Sequence, residues 1–432
     1  MKYIFRLILS SLLSLLLCSC GGGGGGAGCS LAVGALACSG GGSSTITASA
    51  APTVSTSYSL LHSMASSSEG ASPQATMIQV GGVFYGTTQS GGLGYGGVYS
   101  VNTAGQVTLI HAFTGGTSDG AIPFAGLVLG SDGNLYGTTT NGGLNKNGTV
   151  FKVALSSGVA SWAGVVYSFG ASNSGDGAGP FGGLIQGSDG VFYGTTFQGG
   201  ANNLGTVYRI TLIGGVVAET PIYSFGTLAN VDGAYPQSSL IRDSSGVMYG
   251  TTSSVGSSSG TAIGGGTVFA INTAGNLTTL HTFAGGTTDG ATPYSPLLLG
   301  ADGFIYGTTT AGNGSGSTAN AGVVFRLSTA GAGYKVIYSF NGTTIDGSSP
   351  AGNLLQINNV IYGTTQNGGN YGKGTIFSVT TLGVENMVYS FGSNSDGATP
   401  YAGLTAGADG YYYGVTSSGG ANSSGAIYKF HP

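Results

Sequence analysis

The sequence predicts an all-β protein: a seven-bladed β-propeller of four-stranded blades, closed by an N-terminal velcro strand. Three observations carry this. The tetrapeptide Tyr-Gly-Thr-Thr starts at Tyr85, Tyr136, Tyr193, Tyr249, Tyr306 and Tyr362, and Tyr-Gly-Val-Thr starts at Tyr413. The spacings of 51, 57, 56, 57, 56 and 51 residues suit one propeller blade each. The chain also begins and ends part-way through a unit, so its two ends can complete each other.

Each unit reads as four short strands. In the second unit they are AGLVLG, NLYGTT, GTVFKV and GVVYSF, rich in Val, Leu, Tyr, Phe and Thr and bounded by Gly, Asp and Asn. Asp-Gly in SDGN joins the first two strands as a hairpin turn, which needs φ > 0 and so favours Gly. NTAGQ and NTAGN join the last two in other units. A second signature, such as GTVF at Gly148, opens the third strand. A third, an aromatic-x-Phe followed by D-G-x-x-P, links one unit to the next, as in HAFTGGTSDGAIP.

The first unit lacks its first three strands. TVSTSYSLLHSM, residues 53–64, matches a fourth strand, and the last unit stops after GAIYKF, a third strand. The N-terminal strand is therefore expected to complete the seventh blade and leave no open sheet edge. An open β-solenoid is the alternative; it needs distinct caps, and no segment reads as one.

Composition agrees with a folded chain. Gly contributes 87 of 432 residues and only 6% are charged, yet 41% are hydrophobic and 10% aromatic. Disordered chains are poor in aromatics and rich in charge. The formal charge is −4; without Lys2 and Arg6 it is 8 basic against 14 acidic residues, or −6. With no basic patch, nucleic acid is not expected as a partner. A monomer is expected.

The first residues, MKYIFRLILSSLLSLLLCSC, carry a basic start and an apolar run too short to span a bilayer comfortably. Leu17-Cys18-Ser19-Cys20 resembles a bacterial lipobox with Cys20 as the acylated residue. The expected organisation is a lipoprotein signal peptide over 1–19, a Gly/Ser-rich tether over 20–52 and the propeller over 53–432. All four cysteines lie at or before Cys38, so the fold cannot depend on disulfides, although Cys29 and Cys38 could pair.

LYGTTTNGG…NGTVFKV and YSF…DGA.P.AGL…SDG resemble the Gloeo/Verruco (GloVer) tandem repeat over roughly residues 55 to 430. The resemblance implies an exported, anchored repeat protein of no assigned activity, and it supplies no catalytic residues. WD40 repeats differ, since Trp162 is the one tryptophan and no Trp-Asp occurs.

Motif searches find little chemistry. GLGYGG at Gly92–Gly97 lacks the helix that would hold a pyrophosphate. GSSSG at Gly256–Gly260 lies in a low-complexity loop rather than a strand-to-helix turn. His62, His111 and His281 share one repeat position, filled elsewhere by Tyr; they are expected to pack between blades with a satisfied polar tip. Glu69, Asp119, Asp176, Asp232, Asp289, Asp346 and Asp396 hold the D-G-x-x-P position. Turn capping explains them; the alternative is an acidic ring on one face able to hold a hard cation such as Ca²⁺. No cofactor is otherwise expected. Five more aspartates, Asp132, Asp189, Asp243, Asp302 and Asp409, belong to the first hairpin. Glu219 and Glu385 fall outside both patterns. Phe124, Phe181, Tyr294 and Tyr401 follow the motif Pro and are the candidate ligand face, by stacking on sugar rings. Loops between the second and third strands are longest in the fourth and fifth units.

The functional expectation is a lipid-anchored binding or adhesion module of the cell envelope, at the outer membrane or cell surface, with a glycan or surface protein as partner and no enzymatic activity. The alternative, an extracellular polysaccharide hydrolase or lyase, needs paired carboxylates across a cleft.

Overall fold

The Asp-Gly turns set the strand pattern: Gly133, Gly190, Gly303 and Gly410 hold φ between +76° and +84°, values that reverse the chain tightly enough for antiparallel pairing. The computed structural model describes residues 57–170, 175–213, 216–228, 231–255, 265–286, 288–312, 320–392 and 395–432. The expected signal peptide and tether, Cys20 and most of the two expanded loops lie outside the described residues.

All regular structure among the described residues is strand. Seven four-stranded blades form the ring, and in the sixth Gly347–Pro350 also pairs with the second strand, Val360–Gly368. Blade one is Ile78–Val80, Val83–Thr88, Gly97–Val101 and Val107–Ala112, paired in that order. The inner strands of blades two to seven begin at Val128, Ile185, Ile241, Leu298, Leu355 and Thr405. The seventh blade takes its outer strand from the N-terminus. Ser57–Ser63 pairs antiparallel with Ala426–His431, Ser57 opposite His431 and Ser63 opposite Ala426. The fold is thus the expected seven-bladed propeller with its velcro strand.

Each residue of the repeated tetrapeptide has its own contact. The Tyr hydroxyl donates to the hairpin Asp where there is one: Tyr136 to Asp132 at 2.8 Å, Tyr306 to Asp302 at 2.6 Å, Tyr413 to Asp409 at 2.7 Å. The Gly lies under the third-strand aromatic of its own blade. A Cβ on Gly86 would sit 2.6 Å from the Tyr99 hydroxyl, and one on Gly250 2.6 Å from Phe269 Cζ. The sequence suggests that this Gly lets neighbouring blades approach; the structure corrects this, because the space is filled from within the blade. The first Thr ties one blade to the next, Thr87 Oγ1 to the Ala125 carbonyl at 2.9 Å and Thr364 Oγ1 to the Ala402 carbonyl at 2.9 Å. The second Thr bonds the signature Thr of its partner strand, Thr139 with Thr149 at 2.7 Å.

Burial is concentrated between blades. One apolar cluster joins Phe84, Tyr99 and Val101 of blade one to Tyr413, Val415 and Ile427 of blade seven. Another joins Tyr249 and Val268 of blade four to Ile305 and Phe325 of blade five. Both faces of every sheet are therefore covered, which a propeller needs because a lone four-stranded sheet leaves its apolar faces in water.

Candidate functional site

The D-G-x-x-P loop positions the site. The residue before the Pro is left-handed in every blade: φ is +55° at Ser72, +57° at Ile122, +61° at Gly179, +58° at Tyr235, +58° at Thr292, +55° at Ser349 and +54° at Thr399. This is unfavourable for a side-chain-bearing residue, more so for β-branched Ile and Thr. Hydrogen bonds on both sides hold it. Ile122 N–H donates to Tyr95 O of the preceding blade at 2.9 Å, and Ile122 O accepts from Thr140 N–H at 3.1 Å. The same turn in each blade sends the residue after the Pro toward the propeller axis.

Those seven residues are Gln74, Phe124, Phe181, Gln237, Tyr294, Ala351 and Tyr401, and all line one axial cavity of about 400 Å³. The wall also includes Thr76, Ser239, Pro296 and Asn353, and, at the inner strands, Ile78, Val128, Ile185 and Ile241. The cavity is thus aromatic and amide where the loops enter the blades and aliphatic along the inner strands. It carries no charged side chain among the described residues that line it. Its size lies at the lower end of the range of ligand pockets, roughly 300–1,000 Å³.

The four aromatic residues singled out from sequence meet here. Phe124 packs edge-on against Phe181 with centroids 5.3 Å apart, and against Tyr401 at 6.3 Å. Burial raises the Tyr401 phenol above its ordinary value, and the neighbouring Tyr294 phenol adds to this. Ala351, between Tyr294 and Tyr401 in ring order, leaves room for that approach. Two further aromatics escape sequence reasoning. Phe197 lies 5.2 Å from Phe181 and Tyr235 lies 4.9 Å from Phe197, both by centroid. Their signal was a departure from the repeat: other units carry Gln89, Thr140, Ser253, Thr310, Gln366 and Ser417 where this one has Phe197.

The acidic residues of the loop lie elsewhere. Each sits beside the outer strand of the preceding blade, and none lines the cavity. Asp119 accepts from Thr114 N–H at 2.9 Å, from its neighbour Gly120 N–H at 2.8 Å and from His111 Nε2 at 3.1 Å. Glu69 bonds His62 at 2.7 Å and Ala65 N–H at 2.8 Å. Asp176, Asp232 and Asp396 accept from Tyr167, Tyr223 and Tyr389, at 2.8, 2.7 and 2.7 Å. Asp289 bonds His281 at 3.2 Å and Ala284 N–H at 2.8 Å, and Asp346 accepts from Asn341 N–H at 2.7 Å. Each carboxylate accepts from donors of its own loop or of the preceding outer strand, while Asp232 Oδ1 has no partner among the described residues. Among the described residues no group of three or more His, Cys, Asp or Glu gathers as a metal site. His111 stacks on Trp162 at 3.7 Å and His281 on Tyr334 at 3.5 Å, each across a blade boundary.

Glu219 and Glu385 form a second feature. Glu219 lies by Asp176, and burial first, then that carboxylate, pushes its acid up to about 9. Burial and Asp346 push Glu385 up to about 7. Both are outer-strand residues, away from the axial mouth.

The Gloeobacter/Verrucomicrobia repeat family model matches residues 36–263, 165–318 and 258–432. No curated protein matches the chain. Among solved structures, the chain is similar to a PL25 ulvan lyase, with 10% identity over 84% of this chain and 94% of that one and a TM-score of 0.46. It is similar to the GH74 enzyme of Niastella koreensis, with 15% identity over 83% and 51% and a TM-score of 0.43. A luciferin-regenerating enzyme shares 12% identity over 69% and 87%, with a TM-score of 0.40. At such identities the likeness concerns the fold alone. The expectation of no enzymatic activity is nonetheless corrected by these neighbours, which are propeller enzymes. The physical reason is that one fold hosts many unrelated functions, so the lack of a local motif excludes none of them.

Proposed function

Because the chain belongs to the Gloeobacter/Verrucomicrobia repeat family, we propose that it is a cell-envelope binding or adhesion module that takes an uncharged ligand into the axial mouth of its propeller. A lipid on Cys20 holds it at the outer membrane. The mouth carries the reading: Phe124, Phe181, Tyr294 and Tyr401 converge with Gln74 and Gln237 around a cavity without charged walls. Half-buried rings offer apolar faces, amides offer donors and acceptors, and a ligand with both characters matches them. A charged ligand would be desolvated there with no counter-charge. The lipobox-like Leu17-Cys18-Ser19-Cys20 supports the anchor.

Ligand-observed NMR of the detergent-solubilised full chain against a library of small uncharged and charged fragments tests the binding. Uncharged fragments should bind wild type and lose most of their signal in Phe181→Gln/Tyr401→Ala. Equal signals in both proteins, or binding of charged fragments only, would remove the mouth from the account.

A further inference from the structure

The aromatic side chains at the mouth do not stop at the cavity. Tyr401, Phe124, Phe181, Phe197 and Tyr235 form one unbroken series, with successive centroids 6.3, 5.3, 5.2 and 4.9 Å apart. The first three line the cavity. Phe197 and Tyr235 lie beyond it. Phe197 stands in the loop between the second and third strands of blade three, and Tyr235 in the loop leading into blade four. All five are neither fully buried nor fully exposed. Such rings retain some exposed surface while their mutual packing fixes their position, so little rotamer freedom is lost on binding.

We infer that this series is the path of a neutral polysaccharide chain, whose end enters the axial cavity and whose following units lie on Phe197 and Tyr235. The inference rests on the mouth being a binding site, and it extends that site outward. A sugar ring presents C–H groups on its faces and hydroxyls at its edge. It matches aromatic faces interleaved with the amides of Gln74 and Gln237. A single small ligand would need only the cavity rings; a run of five calls for a ligand of several units. The charge of the chain selects among polymers. Single-stranded nucleic acid also stacks on aromatic rings, but it needs a basic groove for its phosphates. The chain has net charge −4, and the cavity wall has no cation among the described residues. Sulfated and uronic-acid polymers fail by the same argument. The left-handed backbone of Tyr235 is not itself the signal, because all seven blades share it; the aromatic side chain there is unique to this unit.

The repeats supply conservative tests. Phe197→Gln installs the residue of Gln89 and Gln366, and Tyr235→Thr that of Thr292 and Thr399, so the fold already accepts each at that position. The full chain in detergent is applied to an array of neutral glucans, mannans, xylans and galactans beside sulfated and uronate polymers. Any polymer retained is then titrated calorimetrically as a length series from monosaccharide to hexasaccharide. A neutral polymer should be retained, and affinity should rise with length. The double variant should lose about tenfold or more for tetrasaccharides and longer, about one stacked ring or more, while monosaccharide affinity stays unchanged. Phe181→Gln should weaken every length. Retention of charged polymers only, of no polymer at all, or equal affinity of wild type and double variant at every length would overturn the path. The fragment experiment on the mouth could still succeed in each of those cases, so the two readings fail separately.

Discussion

Gly425 of the last blade lies directly against Pro73, the motif Pro that leads into the first: a Cβ built on Gly425 would sit 2.7 Å from Pro73 Cδ. The internal blades repeat the relationship, with 2.7 Å for Gly205 and Pro236 and 2.6 Å for Gly374 and Pro400. Gly425 also holds φ +99°. Ring closure therefore uses the same joint as every internal boundary.

Gly425→Ala should destabilise the protein by about 2 kcal/mol or more, because both backbone conformation and space forbid a methyl group there. Gly205→Ala should cost a similar amount. Thermal unfolding of the two variants checks this. A harmless Gly425→Ala beside a damaging Gly205→Ala would mean that the ring is not closed as described.

Deletion of residues 57–63 should lower the melting temperature or cause aggregation. It would strip Ala426–His431 of its partner and expose an edge. Deletion of the tether residues 21–48 should leave melting nearly unchanged. Equal melting of the two truncations would count against closure by the N-terminal strand.

Stability should fall as pH rises from about 5 to 9. Glu219 is raised from the usual 4.5 to about 9, with Asp176 beside it, and Glu385 to about 7, with Asp346 beside it. Each folded acid keeps a proton that the unfolded chain has already released. Its contribution is full below the unfolded value and is lost as pH rises through the folded one. Glu219→Gln should flatten the decline between about pH 7 and 9, read from urea midpoints. An unchanged slope would show that Glu219 ionises normally.

Asp289→Asn should cost about 1–3 kcal/mol, since the amide cannot accept all the bonds that Asp289 takes from His281, Tyr334, Ala284 N–H and Gly290 N–H. Melting of wild type should be the same in chelator and in millimolar Ca²⁺. A Ca²⁺-dependent rise that disappears in the variant would establish a cation role for the loop carboxylates.

Cys20 should incorporate a fatty-acid analogue in cells, and Cys20→Ser should abolish labelling. Two or more acyl chains would make release from a membrane slow. Labelling that persists in Cys20→Ser would relocate or remove the anchor.

The blade count, the four strands of each blade and the phase of the two ends were legible because they are local and periodic. Alternating apolar residues, Asp-Gly turns and a 51–57-residue recurrence can be read without knowing what touches what. The hydrogen bonds of the D-G-x-x-P carboxylates are local as well, since most of their donors lie within a few residues. Other features needed the closed ring. The Gly of Tyr-Gly-Thr-Thr could be placed between blades or within one until Tyr99 and Phe269 were seen to cover it. Phe124 and Tyr401 are far apart in the chain and meet only because seven inner strands share one axis. Phe197 and Tyr235 join them because one blade's second-to-third-strand loop runs beside the next blade's entry loop. Strand periodicity specifies which face a side chain takes in its own blade. The distance across the axis depends on how many blades close and how tightly they pack, and no single repeat contains that information.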